Sequence, residues 1–372
     1  MKQSIIIPFH KNRDMLFYCL KTLVNTIPSD TEIIIVGNNA NHEEIDFELP
    51  DRYKYYKIYK NIQYPNAVNY GVKHSTGEII TICDPDVFFW EDWYDPMIQC
   101  LTQRDSVGAV SLKLINPLNN RILDFGMYYT KYNAIHSTMG LKYDHPLASF
   151  DRKVQTACSA VMMTTRDAFD KVNGMDPELP YSYTECDYCL KLKSIGLDTW
   201  VVANSKAYHK GSTDPNNSKN YAFSYYNLDS KAMFAYKNYG RINYNVDEWF
   251  EYTCTYAKKH ISNLQSKYLL LDFSTIYDRE NFYCMIKKYL DIEFLDCHNP
   301  IVKSRNIRSL PLYNYVSFKY IDYASPILYF VDIFTCLFDN ELWFKMRDIS
   351  KDLVIDRHGN VFPLIDIANH NC

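Results

Sequence analysis

Over roughly its first 240 residues this 372-residue chain predicts an α/β fold, a mostly parallel sheet flanked by helices, and three observations carry the expectation. Short β-rich apolar runs at Ser4–Ile7, Glu32–Val36 and Ile79–Cys83 alternate with helical patterns at Arg13–Thr26 and Ala67–Ser75. Strands that recur with a helix between them form βαβ units and pair in parallel. Each run also stops at a polar turn: Pro8-Phe9-His10, Gly37-Asn38-Asn39 and Asp84-Pro85-Asp86. Ligands bind at that carboxyl edge of such sheets, so these turns are the first place to look for chemistry.

Farther along, Val107–Leu114 and Ile122–Thr130 read as strands, and Glu185–Ser194 reads as a helix stopped by Gly196. From Tyr221 to Tyr239 the pattern is Tyr-rich and helical, ending at Gly240, which sets a soft boundary there. Residues 241–372 form an α-rich or α/β appendage, with an apolar segment at Tyr268–Phe273 and a helical stretch at Arg279–Leu290. Such a length exceeds what one core usually serves.

The formal net charge of −4 argues against a nucleic-acid partner while leaving room for a local phosphate site. Eleven scattered cysteines fit reduced thiols rather than a disulfide framework, and the lone CxxC, Cys186 and Cys189, lacks the second pair a zinc site needs. The N-terminus enters a strand pattern without a secretory signal, which points to the cytoplasm. The longest apolar run, Pro326 to Phe338, contains Asp332 and is shorter than the roughly 20 residues that span a bilayer. Contact with the inner face of the membrane from the periphery remains open to the appendage, as do acceptor binding and oligomerisation.

Asp84 and Asp86, one residue apart at a strand end, have the chemistry to hold a hard divalent cation beside a ribose or diphosphate. An ordinary solvated turn with a proline explains the same three residues.

The order of the parts resembles glycosyltransferase family 2, most closely its rhamnosyltransferase-like bacterial members. Ile5-Ile6-Ile7-Pro8-Phe9-His10-Lys11-Asn12 stands where the family has its IPTYNR-type segment, with Cys19, Leu20 and Leu23 on the next helix. Glu32–Asn39 is similar to the strand ending in VDNGS, and Asn61–Gly71, with Asn66, Ala67 and Asn69, looks like the N-x-G-x-x-x-x-x-N-x-G stretch. The likeness continues through Asp84–Val87, Gly126, Thr156–Cys158, Ala168-Phe169, Gly174–Asp176 and Glu185–Leu192 to His209, so it covers about residues 3–240.

The resemblance implies a GT-A fold, a Rossmann-like mostly parallel sheet flanked by helices, in an inverting, metal-dependent enzyme. A nucleotide-diphosphate sugar would be the donor, a saccharide or glycoconjugate the acceptor, and surface polysaccharide assembly the setting. Mn2+ or Mg2+ would sit on Asp84, Asp86 and His209, with Ser212 and Thr213 just beyond. Donor contacts would come from Pro8, Phe9, His10, Asn38, Asn39, Asn66, Asn69 and Asp84. The family's base is the Asp of an ED or ND pair, two residues before a second Asp. Asp187 aligns with that second Asp, so Thr184-Glu185 stands for the pair and Glu185 becomes the expected base, with Asp187 as the alternative.

Two departures bear on the donor: Gly37 replaces the acidic residue that commonly reads the nucleobase, and Phe9 replaces a small hydroxyl residue. Two rival readings are a sugar nucleotidyltransferase, which lacks support from any Gly-rich N-terminal phosphate loop, and a non-catalytic nucleotide-sugar or carbohydrate-binding protein on the same fold.

Overall fold

The computed structural model describes residues 1–40, 51–131, 134–180, 182–211, 221–274, 279–298, 325–332, 337 and 347–368, without the side chains of 221–228 and 296–298. The chain divides into two compact units, Met1–Tyr129 with Leu141–Asn243 and Thr130–Gly140 with Tyr244–Cys372.

The first unit opens with β1 (Gln3–Phe9), α1 (Arg13–Val24), β2 (Glu32–Asn38), β3 (Tyr53–Ile58), α2 (Tyr64–Lys73) and β4 (Ile79–Cys83). β1, β2 and β4 are buried on both faces, which is why their sequences are runs of Ile rather than alternations. Helix α1 buries Leu16, Cys19, Leu20 and Leu23, one stripe at i, i+3, i+4 and i+7 against that sheet. Shortening a buried leucine there to alanine costs about 2–5 kcal/mol. Helix α2 starts ahead of the expected Ala67 because Pro65 pre-sets its first turn. Gly71 lets α2 lie close on β1, since a Cβ at 71 would run into Ile6.

Next come β5 (Val87–Phe89), α3 (Tyr94–Gln103), β6 (Val107–Ile115), β7 (Ile122–Asp124) and β8 (Met127–Tyr129), while β9 (Ala134–His136) falls in the second unit. The stretch 122–130 is thus two short strands and not the single strand expected. Gly126 stands between them at φ 87°, and its N–H donates to Oδ2 of Asp124 at 3.2 Å, which turns the chain out of the strand. The first unit closes with β10 (Arg152–Val154), β11 (Val161–Thr165), α4 (Arg166–Lys171), α5 (Thr184–Ser194), β12 (Asp198–His209) and α6 (Tyr221–Lys237).

Its sheet runs β10-β12-β6-β11-β4-β1-β2-β3, with β5 added to β12 and β7 to β6. β3-β2-β1-β4 are parallel, and so are β6 and β12, with β11 antiparallel between the two groups. Strand β12 changes phase midway. Val202 pairs with Leu112 and Lys206 with Lys113, so Ala203, Asn204 and Ser205 form a bulge. Val202 before it and Ala207 after it nevertheless pack into the same core.

The second unit has α7 (Val246–His260), β13 (Lys267–Asp272), α8 (Arg279–Leu290), β14 (Glu293–His298), β15 (Ile327–Val331), β16 (Leu353–Asp356), β17 (Val361–Pro363) and α9 (Leu364–Ala368). Its sheet order is β14-β13-β15-β16-β17, parallel except for β17. Phe250, Tyr268, Leu270, Ile286, Leu328 and Ile355 share its core, so the appendage is an α/β unit with a core of its own. No helix among the described residues is long and apolar enough to cross a membrane.

Candidate active site

Three strand ends meet at the carboxyl edge of the first sheet. His10, just past β1, donates its Nδ1–H to the carbonyl of Asn38 at the end of β2, at 2.8 Å. The Asn38 side chain faces inward: its Nδ2 donates to Oδ1 of Asn61 at 3.2 Å, and its Oδ1 accepts from the N–H of Ile62 at 2.8 Å. Asn38 thereby holds the segment that leads into α2. Asn39 takes the left-handed conformation, φ 58°, that an asparagine tolerates at a strand-ending turn. A cavity of about 330 Å3 opens here, lined by Pro8, Phe9, His10, Asn38, Asn61, Gln63, Tyr64 and Pro180.

Asn66 and Asn69 border a different depression, of about 570 Å3, which shares Asn61 and Gln63 with the first. Both ends of the Asn69 amide are used on one residue, Nδ2 donating to the Met175 carbonyl at 2.8 Å and Oδ1 accepting from its N–H at 3.0 Å. Asn69 is a splint between α2 and the turn before α5. Beside Gly37, the space a larger side chain would enter is filled by Tyr55, whose hydroxyl a Cβ at 37 would strike.

The two aspartates follow β4. The N–H of Asp84 donates to the carbonyl of Ala160 at 2.8 Å, which fixes the start of the turn. Beyond the turn β5 pairs antiparallel with the end of β12, Val87 opposite His209, and the N–H of Lys210 donates to the Asp86 carbonyl at 3.1 Å. His209 Nε2 therefore lies 3.3 Å from Oδ1 of Asp86 and 3.9 Å from Oδ2 of Asp84. One ligand atom from each of the three falls within 4.8 Å of the others, the one such group of acid, Cys and His residues among the described residues.

Burial pushes the Asp84 carboxyl up to about 7, and the charges of Asp86 and Glu185 add to it, while His209 and the Tyr64 hydroxyl work against it. At Asp86 burial also acts to raise the value, but the hydrogen bond and charge of His209 outweigh it and hold the group below the usual carboxylate range. Burial would lower His209, and Asp86 then Asp84 raise it above an ordinary histidine. Burial and neighbouring carboxylates raise Asp84, as expected where acidic groups are crowded together. Two carboxylate oxygens and an imidazole nitrogen suit a divalent ion such as Mn2+ with positions to spare.

Tyr64, which sequence reasoning passed over, joins this cluster to the cavity. Its hydroxyl lies 3.1 Å from Oγ of Ser159, and burial and then the charge of Asp84 raise it well above an ordinary phenol, so it stays protonated. Only its place before Pro65, at a helix start, hinted at it.

Glu185 and Asp187 both stand in the first turn of α5 and point different ways. Glu185 is half-buried and close enough for its charge to act on Asp84 and Tyr64. Asp187 is buried, and its Oδ1 accepts from Nδ2 of Asn238 at 2.9 Å. Ser212 and Thr213 lie outside the described residues.

A mostly parallel sheet with an Asp-Asp-His group at its carboxyl edge has the layout that the resemblance to glycosyltransferase family 2 implies. Residues 4–172 match the family model described as Glycosyl transferase family 2. The chain is similar to the O-antigen biosynthesis protein RfbC of Myxococcus xanthus, 24% identical over 226 residues, 56% of this chain and 17% of that protein. It is also similar to the uncharacterized protein y4gI of Sinorhizobium fredii (strain NBRC 101917 / NGR234), 27% identical over 220 residues, 55% of this chain and 24% of the relative. The chain thus spans roughly a fifth of the length of these curated relatives. Among solved structures it resembles GalNAc-T7 with UDP, GalNAc and Mn2+, at a TM-score of 0.47 and 14% identity, covering 56% of this chain and 43% of that one.

Proposed function

We propose that the protein is a glycosyltransferase that moves a sugar from a nucleoside-diphosphate donor to a saccharide hydroxyl in one displacement that inverts the anomeric centre. The observation that carries the reading is the grouping of Asp84, Asp86 and His209 beside the cavity at the ends of β1 and β2. Mn2+ or Mg2+ held by these three residues would neutralise the two phosphate charges as the diphosphate departs. Pro8, Phe9, His10 and Asn38 shape the cavity in which the nucleoside sits, and Asp84 lies next to it through Tyr64.

The bond formed joins the acceptor oxygen to the anomeric carbon, and the bond broken joins that carbon to the diphosphate oxygen, which takes the electron pair. The acceptor proton goes to Glu185, the carboxylate of α5 whose charge reaches the cluster. Asp187, buried against α6, acts on the helix and not on substrate. The name of the RfbC relative supports assembly of a surface polysaccharide as the setting. Residues 1–240 supply the donor side, and the second unit serves acceptor binding or assembly.

The test is a hydrolysis screen of UDP-, GDP-, dTDP- and CMP-linked sugars with the full chain, each with Mn2+, Mg2+ or excess chelator. Release of the nucleoside diphosphate that depends on the added cation supports the reading. Equal release from any donor in chelator would sink the metal-assisted mechanism.

A further inference from the structure

Asn238, the residue that follows α6, has no exposed surface, although an asparagine at a helix end normally faces water. Its Nδ2 donates to Oδ1 of Asp187 at 2.9 Å and to the carbonyl of Phe234 at 3.2 Å. Both partners only accept, so chemistry dictates which end of the amide points at them. Asp187 is 2% exposed, and its second oxygen has no hydrogen bond among the described residues, with Lys191 Nζ 3.8 Å away as its countercharge. A carboxylate buried with so few partners depends heavily on each of them.

The same helix grips α5 elsewhere. Phe234 stacks on Tyr183, ring centroids 5.1 Å apart, and Oγ of Ser230 accepts from the N–H of Ser182 at 3.4 Å. Tyr183 is the N-cap of α5, left-handed at φ 64° and without a side-chain cap bond, so the start of α5 relies on outside support. Residues two apart on a helix project about 200° apart, so if Asp187 faces α6, Glu185 faces away from it toward the cluster.

We propose that Asn238 is a positioning residue for the transfer step: through Asp187 it fixes the first turn of α5 and so the direction in which Glu185 presents its carboxylate. The inference rests on the reading of Glu185 as the base. Asn238→Asp puts a second carboxylate against Asp187. Asp187→Asn removes the charge that the amide serves. The double variant Asp187→Asn with Asn238→Asp restores one amide, one carboxylate and one hydrogen bond, with the partners exchanged.

The experiment measures kcat and donor KM for nucleotide-sugar hydrolysis by the full chain, UDP and GDP binding by calorimetry with Mn2+, and thermal melting. Each single variant should lose on the order of 10²-fold in kcat, as expected for a misaligned reacting group, with donor KM and nucleoside-diphosphate binding kept. The double variant should return to within a few-fold of the parent. Asn238→Gln, which keeps the donor but lengthens it, should show the same kcat loss should Asn238→Asp melt early. A double variant that binds UDP or GDP and melts normally, yet turns over no faster than Asp187→Asn, overturns the proposal, because the carboxylate would then be needed at 187 itself. Glu185→Gln in parallel separates the two ideas: normal turnover there removes the base assignment whatever the exchange shows.

Discussion

His209 Nε2 stands 3.3 Å from Oδ1 of Asp86 because β5 and the end of β12 pair with Val87 opposite His209. Strand register, and not a flexible loop, sets this contact. Two paired strands thus carry the histidine and one of the aspartates.

Asp86→Ala should abolish cation-dependent donor turnover, by roughly 10²-fold or more, since charge neutralisation at a diphosphate is worth several kcal/mol. His209→Ala should weaken Mn2+ binding while leaving the fold intact. Calorimetric titration of UDP or GDP with and without Mn2+ checks both. Cation-enhanced binding that survives in Asp86→Ala contradicts the assignment.

Glu185→Gln should lower turnover by about 10²–10⁴-fold and leave donor affinity unchanged, because the amide keeps the shape and removes the base. Initial rates and nucleoside-diphosphate titrations on the same preparation decide it. A fall in donor affinity equal to the fall in rate would assign Glu185 to donor binding.

Glu32 carries a pH-dependent share of stability. Burial acts to raise its carboxyl, but hydrogen bonds from Lys54, Ser4 and Thr76 bring it from an ordinary 4.5 down to about 2. Since the folded chain holds this proton less tightly than the unfolded one, the stabilisation is present above pH 4.5 and is lost as pH falls toward 2. The difference amounts to at most about 3–4 kcal/mol, at about 1.36 kcal/mol for each pH unit between 4.5 and about 2. Urea unfolding of Glu32→Gln should show a loss of that order at pH 7 that shrinks steadily below pH 4.5. A constant deficit at every pH would mean that packing, not charge, is what the glutamate supplies.

Gly37→Asp, which introduces the acidic residue that the family resemblance leads one to expect there, should destabilise the protein, because the new Cβ meets the Tyr55 hydroxyl. Adding Tyr55→Ala should recover part of the melting temperature by freeing the space. No recovery would show that the obstruction lies in the backbone.

The sequence pattern exposed the elements whose apolar residues are continuous or regularly spaced. β1, β2 and β4 stand where the runs of Ile placed them, and α8 covers Arg279–Leu290 as expected. β3 escaped notice because Tyr53, Tyr55 and Tyr56 are only partly buried between exposed lysines at 54 and 57, so it has no apolar signature. The break at Gly126 depends on a hydrogen bond from its N–H to Asp124, and the burial of Asp187 depends on a helix some 50 positions later; neither leaves a local mark in the sequence. At the site, Asp84, Asp86 and His209 were legible as residues, whereas Tyr64, and the inward turn of Asn38 and Asn69, became visible only with tertiary contacts.

The bulge at Ala203–Ser205 makes β12 a phase shifter. An odd number of residues is inserted, so even-numbered positions face the core before it and odd-numbered ones after it, as Val202 and Ala207 demonstrate. Had the strand continued unbroken, residue 209 would fall on the opposite side from Ala207's present face, and the imidazole would leave the two aspartates. Deleting or inserting one residue in this short stretch would thus invert everything downstream to the strand's end without altering any functional side chain. A change of two residues here would keep the facing of the strand's end, and a change of one would reverse it.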